Sequence, residues 1–237
     1  GEATPNYRVD RRAPERIHDV CPDVRLVVVI RDPAHRAWSH YWHQVSRQWE
    51  PLSFEQALDA EAERVVRSDD DREKFSYVLR GKYIDNLKRY ESLFGREAIS
   101  VIFFEELTRN HQSVAEAVWS HIGCAPPHVQ IDAVPHENRA TYPRWPKLGR
   151  LTRAAMNWSR TQGGVALASA QKIKDVVKPW IQYQGTPRMS PAVEARLRAE
   201  FAESDRELAA WLGRSLPWSK DDAALGAAVG SAEGARG

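Results

Sequence analysis

The sequence predicts an α/β protein, a parallel doubly wound sheet with helices on both faces. Two long aliphatic runs, capped amphipathic stretches between them, and the alternation of the two carry that expectation. The first run, "DVRLVVVI" from Asp23 to Ile30, contains three consecutive valines. A β-branched run without polar alternation marks a strand buried on both faces. The second, "AISVIFFEEL" from Ala98 to Leu107, reads the same way and ends in acidic residues.

The helices follow in order. Pro33 to Gln48 opens with proline, which suits a first helical turn. "SFEQALDAEAERVVR" begins at Ser53, and Ser53 with Gln56 forms a capping-box pattern. "YIDNLKRYESLFG" runs from Tyr83 to Gly95, where glycine can stop a helix. "SVAEAVWSHIG" is another helix ending in glycine. From Val134 to Gly185 the chain is rich in Trp, Pro, Arg and Lys, with helices expected near Leu148 to Trp158 and Ala166 to Val177. A last amphipathic helix starts after Ser190. Beyond Trp218 the text turns to Ala, Gly and acid, so 1–218 is expected to be one domain and 219–237 a disordered tail.

Composition narrows the function classes. The 237 residues are 42% hydrophobic and 28% charged, enough for one good-sized core. Lys plus Arg number 34 against 32 Asp plus Glu, a net charge of +2. That balance gives no case for a nucleic-acid partner, although a small anion needs only a local cluster. Cys21 and Cys124 are the only cysteines and form no metal motif, so no metal and a reducing, cytoplasmic setting are expected. No apolar run is long enough for an integral membrane segment. The chain opens without methionine on "GEATPNY", so a processed or truncated protein is expected.

Four short stretches could carry chemistry. Arg31 stands at the carboxyl end of the first strand, where open α/β sheets bind ligands. Pro33 then opens a helix whose amino end offers unpaired N–H groups and a positive field for phosphate. Ser39, two turns on, adds a hydroxyl donor, and arginine binds phosphate in a forked geometry. Alone, an arginine capping a surface loop is the simpler reading. Glu2 lies just before Thr-Pro, "RGKY" (Arg80 to Tyr83) puts a glycine turn and an aromatic at a helix start, and "HENRATYPR" (His136 to Arg144) is a polar loop.

Taken in order, these stretches resemble a sulfotransferase that uses 3′-phosphoadenosine 5′-phosphosulfate, of the branch containing the heparan-sulfate enzymes and bacterial relatives. The likeness runs through "GEATPNY", "PDVRLVVVIRDPAHRAWSHYWHQ", "LSFEQAL", "RGKYIDNLKRY", "ISVIFFEEL", "HIG", "HENR" and the final helix. It implies a P-loop-NTPase-like sheet. "RDPxxRAxSxY" is its most specific part, and it implies that Arg31 and Ser39 bracket the donor's 3′-phosphate. By the same resemblance Glu2 is the catalytic base, Arg80 and Tyr83 contact the nucleotide, and His136 and Asn138 border the acceptor cleft.

The chain departs from the family pattern twice. The first strand and the Lys-x-Gly-Thr-Thr loop that cradles the phosphosulfate do not occur, and "QGTPRM" stands where some relatives have Lys-Gly-Arg. The expected reaction moves a sulfuryl group to a hydroxyl or amine of a small-molecule, carbohydrate or lipid-like acceptor. Sulfuryl transfer, like phosphoryl transfer, needs in-line geometry and stabilised charge more than covalent help. Glu2 would take the acceptor proton, its carboxyl tuned upward by a water-excluding cleft. Two other readings stay open: a non-catalytic nucleotide-binding protein of the same fold, and a P-loop small-molecule kinase.

Overall fold

The computed structural model describes residues 2–3, 7, 10–125, 141–143, 182–184 and 187–219. His136, Asn138, the two helices expected between 148 and 177, and the tail from 220 onward lie outside the described residues. The chain divides into two compact units, one of residues 1–36, 78–135 and 195–237, the other of 37–77 and 136–194.

The first unit is built on a parallel pair, β1 (Leu26–Ile30) and β2 (Ile99–Phe103). Leu26 lies opposite Ile99, and the register continues to Ile30 opposite Phe103. α1 (Ala13–Val20) precedes β1, and α2 (Pro33–Ser46) follows it. α6 (Tyr83–Phe94) leads into β2, and α7 (Phe104–Arg109) and α8 (His111–His121) follow. The long final helix, here α9, is Pro191–Leu212. On α6 the buried residues are Tyr83, Ile84, Leu87 and Tyr90, a spacing that makes one helical face. They join Ile30, Ile99, Phe103, Leu208 and Leu216 in one apolar cluster. Gly95 ends α6 at φ 77°, a conformation that favours glycine.

β1 corrects one sequence expectation. Successive strand residues point to opposite faces. Leu26, Val28 and Ile30 turn to the cluster, but Val27 and Val29 are 37% and 46% exposed. In register, Val29 lies opposite Ile102, which is buried, so this face is covered over β2 and only partly over β1. His121 of α8 closes the start of the sheet, its Nε2 3.2 Å from the Leu26 carbonyl and 3.1 Å from that of Ala98.

In the second unit the capping box at Ser53 forms as predicted. The single helix expected after it is two, α3 (Phe54–Asp59) and α4 (Glu61–Arg67), separated at Ala60. The sequence reading omits α5 (Asp69–Phe75), although its signals were present. The Ser68 side chain accepts from the Asp71 amide, and Asp69, Asp70 and Asp71 sit at its positive end. β3 (Thr141–Pro143) and β4 (Gln182–Gln184) add a short antiparallel pair.

The second unit's interior mixes aromatic packing with a buried ion pair. Trp38, Tyr41, Phe54 and Tyr77 pack mostly edge to face. Glu50, its side chain fully buried, accepts from Arg64 at 2.6 and 3.3 Å, from Tyr77 at 2.7 Å and from the Leu52 amide at 3.0 Å. Burial, then the Glu50 charge, pushes the Tyr77 hydroxyl well up. A carboxylate buried with this many donors locks its surroundings, because losing one donor strands the charge.

Candidate functional site

The carboxyl end of β1 gathers the strongest of the predicted residues. Arg31 follows the strand directly and is half-buried. Its carbonyl accepts from the Tyr83 hydroxyl at 2.9 Å. The next amide, of Asp32, donates to Glu105 Oε1 at 3.2 Å. That carbonyl and that amide belong to one peptide unit, so α6 grips one side of it and α7 the other. Tyr83 is only 1% exposed and reaches the site through the Arg31 backbone.

Asp32 changes what the start of α2 can do. Its Oδ1 accepts from the amides of Ala34 at 2.9 Å and His35 at 3.2 Å. Its Oδ2 pairs with His35 Nδ1 at 2.9 Å and with Arg198 of α9. The helix N–H groups expected to await a phosphate therefore bind the protein's own carboxylate. This is a correction: an aspartate just ahead of the first turn is a strong cap and takes the amides first. The donors left near the end of β1 for an anion are side chains, Arg31 first among them. Burial raises the Asp32 carboxyl, but the hydrogen bonds from His35 and Arg198 outweigh it and hold it at about 2.

"RGKY" acts by close approach. Gly81 ends a 3-10 turn, Leu79–Gly81. A Cβ there would lie 2.6 Å from Phe201 Cε1 and 3.1 Å from Pro33 Cβ, so only glycine lets the turn sit against both. Arg80 beside it is half-buried, and Lys82 pairs with Glu200 at 2.9 Å.

Glu2 is held separately. It is exposed, and its Oε1 accepts from the Tyr7 hydroxyl at 2.6 Å. The Tyr7 carbonyl in turn accepts from the Tyr90 hydroxyl of α6 at 2.9 Å. Burial pushes the Tyr90 hydroxyl up to about 12, and the bond to Glu2 raises that of Tyr7. Ser39 is half-buried in the second turn of α2 and belongs to the second unit.

The structure thus brings Arg31 and Tyr83 together and supplies four residues that the sequence reading omits: Tyr7, Asp32, Glu105 and Arg198. Asp32 carried a local signal, an acid just before a helix-starting proline. Arg198 carried none, since one arginine among many on a polar helix has no local mark. Among the described residues no group of three or more His, Cys, Asp or Glu could hold a metal ion. None of the described helices is long and apolar enough to cross a membrane.

Comparison with known proteins bears on this arrangement. Residues 14–139 match the sulfotransferase domain family. Heparan sulfate glucosamine 3-O-sulfotransferase 6 of Homo sapiens is 50% identical over 46 residues, 19% of this chain and 14% of that protein. Heparan sulfate glucosamine 3-O-sulfotransferase 3B1 of Mus musculus is 46% identical over 54 residues, 23% of this chain and again 14% of the relative. The crystal structure of a sulfotransferase from Alicyclobacillus acidocaldarius superposes with a TM-score of 0.61 at 24% identity. It covers 91% of this chain and 65% of its own, a likeness of fold.

Proposed function

The chain belongs to the sulfotransferase domain family, and on that footing we propose that it moves a sulfuryl group from 3′-phosphoadenosine 5′-phosphosulfate to an acceptor hydroxyl or amine. The observation that carries the proposal is Arg31, a cation at the end of a parallel strand with its peptide gripped on both sides. A guanidinium on so fixed a backbone root loses less freedom when it binds a phosphate than one on a loose loop.

The residue types that the resemblance assigns suit a phosphomonoester: guanidinium groups on Arg31 and Arg80 and a hydroxyl on Ser39. Asp32, which follows Arg31, is already paired with Arg198 and His35. Bound there, the donor supplies the activated sulfuryl group. Arg31 and Ser39 hold its 3′-phosphate, and Arg80 and Tyr83 complete the nucleotide side, Tyr83 by fixing the Arg31 carbonyl. Glu2 takes the acceptor proton, with the Tyr7 hydroxyl orienting its carboxylate. His136 and Asn138 border the acceptor.

A carbohydrate is the acceptor class we put first, because the matched relatives are named for transfer to glucosamine. We place the protein in the cytoplasm, with no metal and no nucleic-acid partner. The test is a titration of the full-length protein with adenosine 3′,5′-bisphosphate, ADP and ATP, alongside a transfer assay with labelled donor and an acceptor panel. Preference for the bisphosphate together with transfer is expected. Bisphosphate binding without transfer to any acceptor would point to a non-catalytic binding protein. Preference for ATP would point to a kinase and overturn the proposal.

A further inference from the structure

We propose that Arg198, acting through Asp32, is a positioning residue for the anion-binding end of β1. The proposal rests on the nucleotide reading above and adds a residue on α9, well beyond the matched 14–139.

Asp32 is buried and its carboxylate serves four donors: the amides of Ala34 and His35, the His35 ring and the Arg198 guanidinium. Two further carboxyl groups bear on the same place. Glu105 holds the Asp32 amide through Oε1, while its Oε2 is buried with no hydrogen-bond partner. Asp205 lies two helical turns after Arg198, hence on the same face of α9. Its Oδ2 accepts from the Trp218 indole at 2.8 Å, and its Oδ1 is buried with no partner. Arg198 is therefore a permanent cation paired with Asp32 in a corner that also holds Glu105 and Asp205, and His35 adds a positive partner when protonated.

Without the Arg198 charge, the Asp32 carboxylate would be buried among acids. A stranded buried charge relieves itself by moving toward water or taking a proton. Either change loosens the cap on Ala34 and His35. It also removes the side-chain anchor of the residue that follows Arg31, leaving its peptide to the Tyr83 and Glu105 bonds alone. Arg198 need never touch the ligand to matter.

The test uses the full-length protein with Arg198→Gln, Arg198→Lys, Asp32→Asn and the double variant Asp32→Asn/Arg198→Gln, with Arg31→Ala as reference. Each is titrated with adenosine 3′,5′-bisphosphate and with ADP, and amide exchange is followed over residues 31–36. We expect Arg198→Gln to weaken the bisphosphate at least tenfold and ADP by less than threefold, with faster exchange at Ala34 and His35. Arg198→Lys should recover most of the affinity. Asparagine also caps helices, so Asp32→Asn removes the ion pair but keeps an acceptor for the amides. The double variant should then be no weaker than the worse single one, since both break one linkage.

Equal losses for bisphosphate and ADP, or no rescue by lysine, would mean that Arg198 only holds α9 in place, and the proposal fails. Normal affinity in Arg198→Gln beside weak binding in Arg31→Ala would sink the positioning role and leave the nucleotide reading standing. If the unaltered protein shows no preference for the 3′-phosphate, the nucleotide reading falls and this proposal falls with it.

Discussion

The backbone at Arg31 is held on both sides. The Tyr83 hydroxyl and the Glu105 carboxylate hold the peptide that follows it, so the guanidinium starts from a fixed root. Replacing Arg31 or Ser39 with Ala should weaken adenosine 3′,5′-bisphosphate selectively, since a lost charge-assisted contact costs about 1.5–3 kcal/mol. Calorimetric titration measures this, and unchanged affinity in both variants would remove the clamp. Glu2→Gln should leave nucleotide affinity nearly intact and lower transfer by roughly 10²–10⁴-fold, the usual worth of a general base. Near-normal turnover in that variant would hand the proton to another group. At this scale the sequence exposed Arg31 as a charge ending an aliphatic run. It hid Tyr83's grip, because 52 residues separate the hydroxyl from the carbonyl it holds.

Elements meet where their side chains permit, and two junctions with α9 make that testable. Gly81 lies under Phe201, which is 1% exposed and has nowhere to retreat. Gly81→Ala should therefore destabilise by about 1–3 kcal/mol as an overpacked contact. Adding Phe201→Leu should recover part of that loss, and equal melting temperatures for wild type and Gly81→Ala would show the junction to be slack. The second junction is Asp205 with Trp218, whose ring packs edge to face on Phe103 at the end of β2. Burial raises the Asp205 carboxyl, the indole bond opposes it and the Asp32 charge adds to it, leaving it at about 6 against an ordinary 3.8. The folded state thus favours protonated Asp205. Its stabilising share is complete below about pH 3.8 and is lost as pH rises through about 6. Asp32, held at about 2, runs the other way: its share is present above 3.8 and lost as pH falls through about 2. Asp205→Asn keeps an acceptor for the indole. It should flatten the decline in melting temperature between pH 4 and 6 and raise stability at pH 7. A decline as steep as in the wild type would place the titration elsewhere.

Across the whole molecule, the sequence was most legible where the signal was local. The two strands, the Ser53 capping box, the Gly95 stop and the final helix after Ser190 all depend on neighbours within a few residues. What covers a strand is a long-range fact, and the triple valine overstated how deeply Val27 and Val29 are buried. Val27→Thr and Val29→Thr should each change stability by less than about 0.5 kcal/mol, as exposed positions do. Val28→Thr puts a hydroxyl against the apolar cluster and should cost clearly more. Denaturant melts of the three variants decide which face is core, and an equal cost for all three would restore cover on both. The same cluster sets a schedule for the ribosome. Ile30 packs in one core with Leu208 and Leu216, which are translated roughly 180 residues later. At about 5–20 residues per second, β1 waits on the order of 10–40 s for the helix that completes its core. α6 and β2 emerge first and can pack on β1, but the cluster stays incomplete until Leu208 and Leu216 are made. Synthesis speed downstream of β2 therefore sets how long that core stays unfinished.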